Sequence, residues 1–268
     1  MNLRLDIAYD GGPFRGFARQ PDQRTVQGDL EEALARVAGR DVETFCAGRT
    51  DAGVHALGQV VSIPAAPDDL DPDRVVRALN GLCGPAIAVH AAREMPEGWH
   101  ARFSARSRLY CYAILQASPD PFLTATTLHH PEPLDLDAMA EAAGHLVGTH
   151  DFSSFGRLPD PDASAIRNLY ELKVWREGSL IKVRARANAF IQQMVRSLVG
   201  LLLYVGEGRR SPDDVPAILA ARDRAAAGPV APPHGLCLVA VEYDEGWSHP
   251  PDSSPVSGRL STSSFPGN

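Results

Sequence analysis

The segment Gly48-Arg49-Thr50-Asp51-Ala52-Gly53-Val54-His55 places a carboxylate two residues after a guanidinium, between two glycines. A carboxylate displayed on such a loop can act as a nucleophile or as a base, and a nearby cation favours its ionised form. Arg49 is close enough along the chain to meet the same substrate. Gly48 and Gly53 permit close approach by a ligand or unusual backbone angles. The same spacing also fits an ordinary turn with a surface ion pair, and it matches neither nucleotide cradle, G-x-x-x-x-G-K-[ST] or G-x-G-x-x-G.

Three further segments carry charge in patterns that could serve an anionic substrate. Residues 106 to 114 alternate with period two, so Arg106, Arg108, Tyr110 and Tyr112 share one strand face and Ser107, Leu109, Cys111 and Ala113 the other. Aromatic rings between guanidinium groups suit unstacked bases and phosphates, and they equally suit the edge of a core. In Leu180 to Ala187 the cations Lys182, Arg184 and Arg186 alternate with apolar residues, which fits a phosphate track or a solvated strand face. The apolar run from Phe190 to Tyr204 reads as a helix with Gln192, Gln193 and Arg196 in a narrow polar stripe. A guanidinium on a largely buried helix requires a countercharge, because an unpaired buried charge costs several kcal/mol. Asp51 is a candidate partner.

The other reactive side chains form no constellation. His129 and His130 have no metal-ligand spacing, and His55 and His100 lack a serine or cysteine partner for a nucleophilic triad. Cys46, Cys83, Cys111 and Cys237 stand singly with no C-x-x-C pair, which excludes a disulfide framework and reads as buried free thiols.

These residues need a scaffold, and its elements follow from periodicity. Leu3 to Tyr9 alternates into a turn at Asp10-Gly11-Gly12-Pro13 and reads as a strand. Thr25 is placed to cap a helix whose stripe Val26, Leu30, Ala33, Leu34 and Val37 ends at Gly39. Strands are expected at 42–47, 59–63, 87–92, 107–115, 169–175, 180–187 and 236–243, and helices at 72–79, 136–147, 190–204 and 215–221. The mixture predicts an α+β fold of two related lobes around a central, mainly antiparallel sheet. Residues 1–105 form the N-terminal lobe carrying the Asp51 loop, and 106–246 the C-terminal lobe. From Trp247 proline, serine and glycine dominate, so 247–268 is expected to be a disordered tail.

Composition narrows the class. With 268 residues, 44% of them hydrophobic, the chain can bury one large core or two modest ones. It contains no run of roughly 18 apolar residues and no signal-like start, so a cytoplasmic location is expected, with no membrane contact. The net charge of −7 hides strong segregation: residues 166–210 carry nine basic residues against three acidic, and 117–165 one against eight. Only Lys173 and Lys182 among the 26 basic residues are not arginine. Arginine suits bidentate phosphate contact and stacking, and an alanine- and arginine-rich genome gives the same bias.

The run Gly48 to Ala56 resembles the TruA-type family of tRNA pseudouridine synthases. The resemblance extends through Tyr9-Asp10-Gly11, Thr25-Val26-Gln27, Asn80, His100-Ala101-Arg102-Phe103-Ser104-Ala105, Tyr110-Cys111-Tyr112, Asn188-Ala189-Phe190, Met194-Val195-Arg196 and Gly235-Leu236. It covers residues 3 to 244 in order. It implies that Asp51 is catalytic, that Arg49 helps hold the flipped-out nucleotide, that Tyr112 contacts the target base, and that Arg196 pairs with Asp51. It further implies a pseudouridine synthase fold with a basic cleft, a homodimer with no cofactor or catalytic metal, and tRNA as partner. The reaction implied is isomerisation of uridines at positions 38 to 40 of the anticodon arm. The chain departs from the family at Gly16-Phe17-Ala18, where Gly-Trp-Gln is usual, and at Gln192-Gln193, where many members carry His or Arg.

That chemistry accounts for the residue types. The N1–C1′ bond breaks, the uracil turns, and C5 joins C1′ without change of composition or redox state, so no redox cofactor is called for. A carboxylate can start it by attacking the sugar or base, or by removing a sugar proton. Two other classes use part of the same residues. A non-catalytic RNA binder would use the arginine and tyrosine faces without Asp51, and a carboxylate-dependent hydrolase would use Asp51 without the cationic strands.

Overall fold

In the computed structural model, which describes residues 1–64, 66–67, 70–158, 160, 162–250 and 252, eleven strands join in one sheet. The elements in order are β1 (Asn2–Tyr9), α1 (Val26–Ala38), β2 (Phe45–Cys46), β3 (His55–Ile63), α2 (Pro72–Cys83), β4 (Ile87–Met95), β5 (Ser107–Leu115) and β6 (Leu128–His129). They continue with α3 (Leu136–Gly144), β7 (Gly148–Asp151), β8 (Ile166–Glu177), β9 (Leu180–Ala187), α4 (Met194–Gly206), α5 (Val215–Ala221), β10 (Leu236–Tyr243) and β11 (Gly246–Trp247). The main path runs β4-β1-β3-β10-β5-β9-β8-β7. Along it every pairing is antiparallel except β10 with β3, where Cys237 lies opposite His55. The last long strand thus slots between the strand that follows the Asp51 loop and the tyrosine strand β5. The fold class is α+β with a mainly antiparallel sheet, as expected.

Burial separates the two sheet faces. One core cluster unites Leu3, Leu5 and Ile7 of β1, Tyr110 and Tyr112 of β5, and Val183 and Ala185 of β9 with residues from all five described helices. Small clusters lie on the other face, among them Leu109, Cys111, Val239 and Ala240 packed by Trp175 and Trp247. Trp247 therefore belongs to the sheet, not to the tail. Ser248 follows it there, its Oγ donating to Gly58 O at 2.8 Å and accepting from Val241 N at 2.9 Å. Of the rest of the expected tail, 251 and 253–268 lie outside the described residues.

Local chemistry sets the ends of the helices. Thr25 sits in extended geometry before α1 and its hydroxyl accepts from Gly28 N, and Gly39 closes the helix in the left-handed region at φ 68°. Helix α4 starts four residues later than its apolar run predicts. Gln193 is left-handed at φ 64°, and Gln192 O accepts from Arg157 N at 3.0 Å, so residues 190–193 bridge to the 156–157 segment instead of coiling. The glutamines are thus not on one helical stripe with Arg196, which falls in the first turn of α4. Eleven of the thirteen residues of α4 are buried, and such burial contributes about 1.5–3 kcal/mol for each large aliphatic side chain. Gly200 matters for contact: a Cβ there would meet Pro229 O at 2.0 Å, so only glycine lets the 229–231 segment lie on the helix.

Candidate active site

The Asp51 loop leaves β2 and enters β3, and neighbouring chain ties it down. Gln59 Nε2 donates to Gly48 O at 2.7 Å, Tyr9 Oη and Thr50 Oγ1 are 2.8 Å apart, and Phe17 N donates to Thr50 O at 3.0 Å. Phe17 is 1% exposed and packs on Tyr9 with centroids 6.2 Å apart. Gly53 takes φ 78°, the left-handed geometry its place in the loop predicts. His55 Nδ1 accepts from Gly11 N at 3.1 Å and its Nε2 lies 3.0 Å from Ala125 O, so this ring fastens loops together.

Arg196 reaches the loop from α4. Its Nη1 donates to Asp51 Oδ2 at 3.1 Å and its Nε to Ala231 O at 2.7 Å, while Ala231 N donates back to Arg196 O at 3.0 Å. The side chains are 14% and 22% exposed, which leaves the carboxylate in reach of a substrate. The segment 229–233, allowed onto α4 by Gly200, thereby fixes the direction of the guanidinium. The buried-charge argument for this helix leads to the partner found. Arg49 is not part of the pair. It is exposed and has no carboxylate partner among the described residues.

The two tyrosines of β5 share the core face but not the same surroundings. Tyr112 is 0% exposed and its hydroxyl donates to Pro232 O at 2.9 Å, so it offers no free surface to a base. Its hydroxyl instead holds the chain next to the Arg196 acceptor. Tyr110 lies against Gly48, packs edge-on to Phe190 at 5.2 Å, and keeps its hydroxyl without a hydrogen-bond partner among the described residues. Burial raises its phenol well above the ordinary value, and the field of Asp51 acts in the same direction. Two tyrosines on one face cannot be ranked by periodicity; the free hydroxyl beside the loop distinguishes Tyr110.

Two cationic readings are corrected. Arg108 is buried at 7% exposure and holds backbone carbonyls, not phosphate: it donates to Ala47 O at 2.9 Å, Arg102 O at 2.6 Å and Asn188 O at 2.7 Å. Lys182, Arg184 and Arg186 stand opposite Ala113, Cys111 and Leu109, on the sheet face away from Tyr110 and Tyr112. They pair with Glu177 at 2.7 Å, Glu171 at 2.7 Å and Glu242 at 3.6 Å, so this row is neutralised and is no phosphate track. Replacing Arg108 with Met would strip four carbonyls, those of Ala47, Arg102, Ala105 and Asn188, of this donor. The expected loss is on the order of 3 kcal/mol, which at ~2–4 °C per kcal/mol lowers the thermal midpoint by about 10 °C. Calorimetry of the variant checks this.

Among the described residues the thiols and the one group of clustered metal-type donors lie outside the Asp51–Arg196 pair. All four cysteines are free, and burial pushes Cys46 up to about 12 and Cys111 up to about 11, so they stay protonated at neutral pH. His129 Nε2 lies 2.9 Å from Ala117 O, and His130 stands between Glu132 and Glu207 at 3.7 and 3.6 Å. Among the described residues one group, Glu141, His145 and Asp213, brings its donor atoms within 4.8 Å of one another. It is exposed and sits on α3 and the 212–214 turn, away from the elements that carry Asp51.

A partly exposed carboxylate gripped by one arginine, with the exposed Arg49 two residues away on the same loop, has the make-up of a site for an anionic substrate. Residues 7–104 and 142–244 match the family described as tRNA pseudouridine synthase. The chain is 48% identical over 256 residues to the tRNA pseudouridine synthase A of Frankia casuarinae, covering 94% of this chain and 90% of that protein. It is 44% identical to that of Methylibium petroleiphilum, covering 91% and 94%. The chain in a crystal structure of the archaeal box H/ACA sRNP Nop10-Cbf5 complex is also similar, with 12% identity, 75% of this chain and 43% of that chain covered, and a TM-score of 0.33, too low to bear on the site. This chain belongs to the tRNA pseudouridine synthase family, and it is accordingly an isomerase.

Proposed function

We propose that this protein isomerises uridines at positions 38 to 40 in the anticodon arm of tRNA, with Asp51 as the catalytic carboxylate. The observation that carries the reading is the Asp51–Arg196 pair, 3.1 Å apart and partly exposed, within the residues that match the family. Asp51 adds to the flipped nucleotide and is released when the new bond forms, or takes a sugar proton and later returns it; the N1–C1′ bond breaks, C5 bonds to C1′, and the C5 hydrogen leaves as a proton while N1 gains one. Arg196 aims the carboxylate and supplies its countercharge, and Arg49 faces the phosphates of the extruded nucleotide. Tyr110, beside Gly48 with a free hydroxyl, takes the base-contacting role that the resemblance assigned to Tyr112, and Tyr112 supports the 232–233 turn.

In this reading the lobes 1–105 and 106–246 embrace the RNA, the protein works as a homodimer in the cytoplasm, and no cofactor takes part. Among the described residues no helix is long and apolar enough to cross a membrane. The test is release of tritium from tRNA labelled at uridine C5, since forming the C5–C1′ bond frees that hydrogen to water. Release with purified protein alone supports the proposal; stable label in the presence of bound tRNA overturns it.

The arginine rim also fixes a salt response. Affinity for tRNA is expected to fall linearly on a log–log plot against salt, and Arg49→Ala to reduce the slope by about one for every tRNA tried. Filter binding from low to moderate salt reads both. An unchanged slope in the variant would remove Arg49 from the phosphate contacts.

A further inference from the structure

Phe103 is 76% exposed, yet it is not a loose side chain. Its ring packs on His100 at a tilt of 41° with centroids 4.6 Å apart, and His100 in turn lies 5.1 Å from Phe45. Arg102 sits beside the same ring, Cζ 5.6 Å from its centroid. The turn that carries them is pinned from several sides. His100 N donates to Ser104 Oγ at 3.1 Å, Ala101 N to Ser62 Oγ at 3.2 Å, and Tyr243 Oη to Ala101 O at 2.7 Å. Arg102 N donates to His100 Nδ1 at 3.0 Å, which fixes that nitrogen as an acceptor and the ring as neutral. Burial and the Arg102 charge lower the imidazole pKa in the same direction. Phe122 is equally exposed at 79% but has no ring or guanidinium neighbour among the described residues, so exposure alone does not mark out Phe103.

The stack adjoins the Asp51 loop through Arg108, whose one guanidinium binds both Arg102 O and Ala47 O, the residue before Gly48. Arg167 lies within the field of Arg102. The Arg167 guanidinium has no carboxylate partner among the described residues; its Nη1 donates to Ser164 O at 2.8 Å and Ile166 O at 2.7 Å, and its buried Nε has no hydrogen-bond partner. Two neighbouring guanidinium groups with no acid between them call for an anion.

We propose that Phe103, backed by His100 and Phe45, is a stacking platform for an unpaired base of the RNA substrate next to the nucleotide that enters the Asp51 site. The phosphate of that base is met by Arg102, the guanidinium beside the ring. An exposed planar ring accepts any base face, and the guanidinium on its flank gives the charge complementarity that selects a nucleic acid over an apolar peptide. This inference rests on the RNA reading of the Asp51 site and adds a second contact point to it.

The experiment is fluorescence anisotropy with a labelled, unmodified anticodon stem-loop RNA, using the full-length protein and its Phe103→Ala, Phe103→Leu and Phe103→Trp variants. Affinity is expected to fall about tenfold for Ala and Leu, ~1.4 kcal/mol, and to be kept by Trp. Wild-type affinity in Phe103→Leu would reduce the contact to nonspecific apolar packing and overturn the platform. Wild-type affinity in all three variants would do the same, as would a change of oligomeric state on sedimentation with RNA affinity retained, which would mark Phe103 as a contact between copies of the chain. Binding is read apart from turnover, so RNA that binds without forming pseudouridine counts against the proposed function only, and RNA that does not bind the wild type counts against both.

Discussion

Asp51→Asn is expected to lower the rate of pseudouridine formation by about a thousandfold or more, ~4 kcal/mol of barrier, while tRNA affinity stays at the wild-type value. The amide has the shape of the carboxylate and keeps an oxygen to accept from Arg196 Nη1 at the 3.1 Å position, so the loop has no reason to move. What it loses is the charge, and with it both the nucleophile and the base. Single-turnover assays with enzyme in excess separate this loss from product release. A variant that turns over within a few-fold of wild type would show that Asp51 is not the reacting group, whatever its place in the structure.

Arg196→Met is expected to cost about a hundredfold in the same assay, ~2.7 kcal/mol. The thioether keeps the apolar stem packed on α4 but leaves the Asp51 carboxylate without its countercharge and Ala231 O without its donor. Arg196→Lys restores charge but not the two-point grip, since one ammonium group cannot reach both oxygens in the geometry of a planar fork. Its rate is therefore expected between Met and wild type. A purely structural role would show as a lowered thermal midpoint with an unaltered rate per folded molecule. Equal rates for Met and wild type would remove Arg196 from the reaction.

How far the sequence foretold this arrangement depends on what each signal can carry. Strands β5, β9 and β10 and helix α5 begin and end where their periods predict. Period two also tells which residues share a face, but not which face meets the substrate. Lys182, Arg184 and Arg186 share a face as the alternation predicts, but what that face meets is hidden, since their partners Glu171, Glu177 and Glu242 come from strands whose order in the sheet is a tertiary fact. Arg108 misleads for the same reason: an arginine that binds carbonyls from the residues at 47, 102 and 188 looks identical in sequence to one that binds phosphate. Arg196 was legible because a charge on an apolar helix demands a partner. Phe103 and Arg102 carry a weaker signal, an aromatic residue beside arginine in a non-periodic turn, and only their exposure and stacking single them out.

The most direct test of the central claim is nucleotide-resolution mapping of pseudouridine in an unmodified tRNA transcript incubated with purified protein and no added cofactor. The account predicts new pseudouridine confined to positions 38 to 40 with the wild type and none with Asp51→Asn. Pseudouridine elsewhere in the tRNA, or at those positions with the variant, would contradict it.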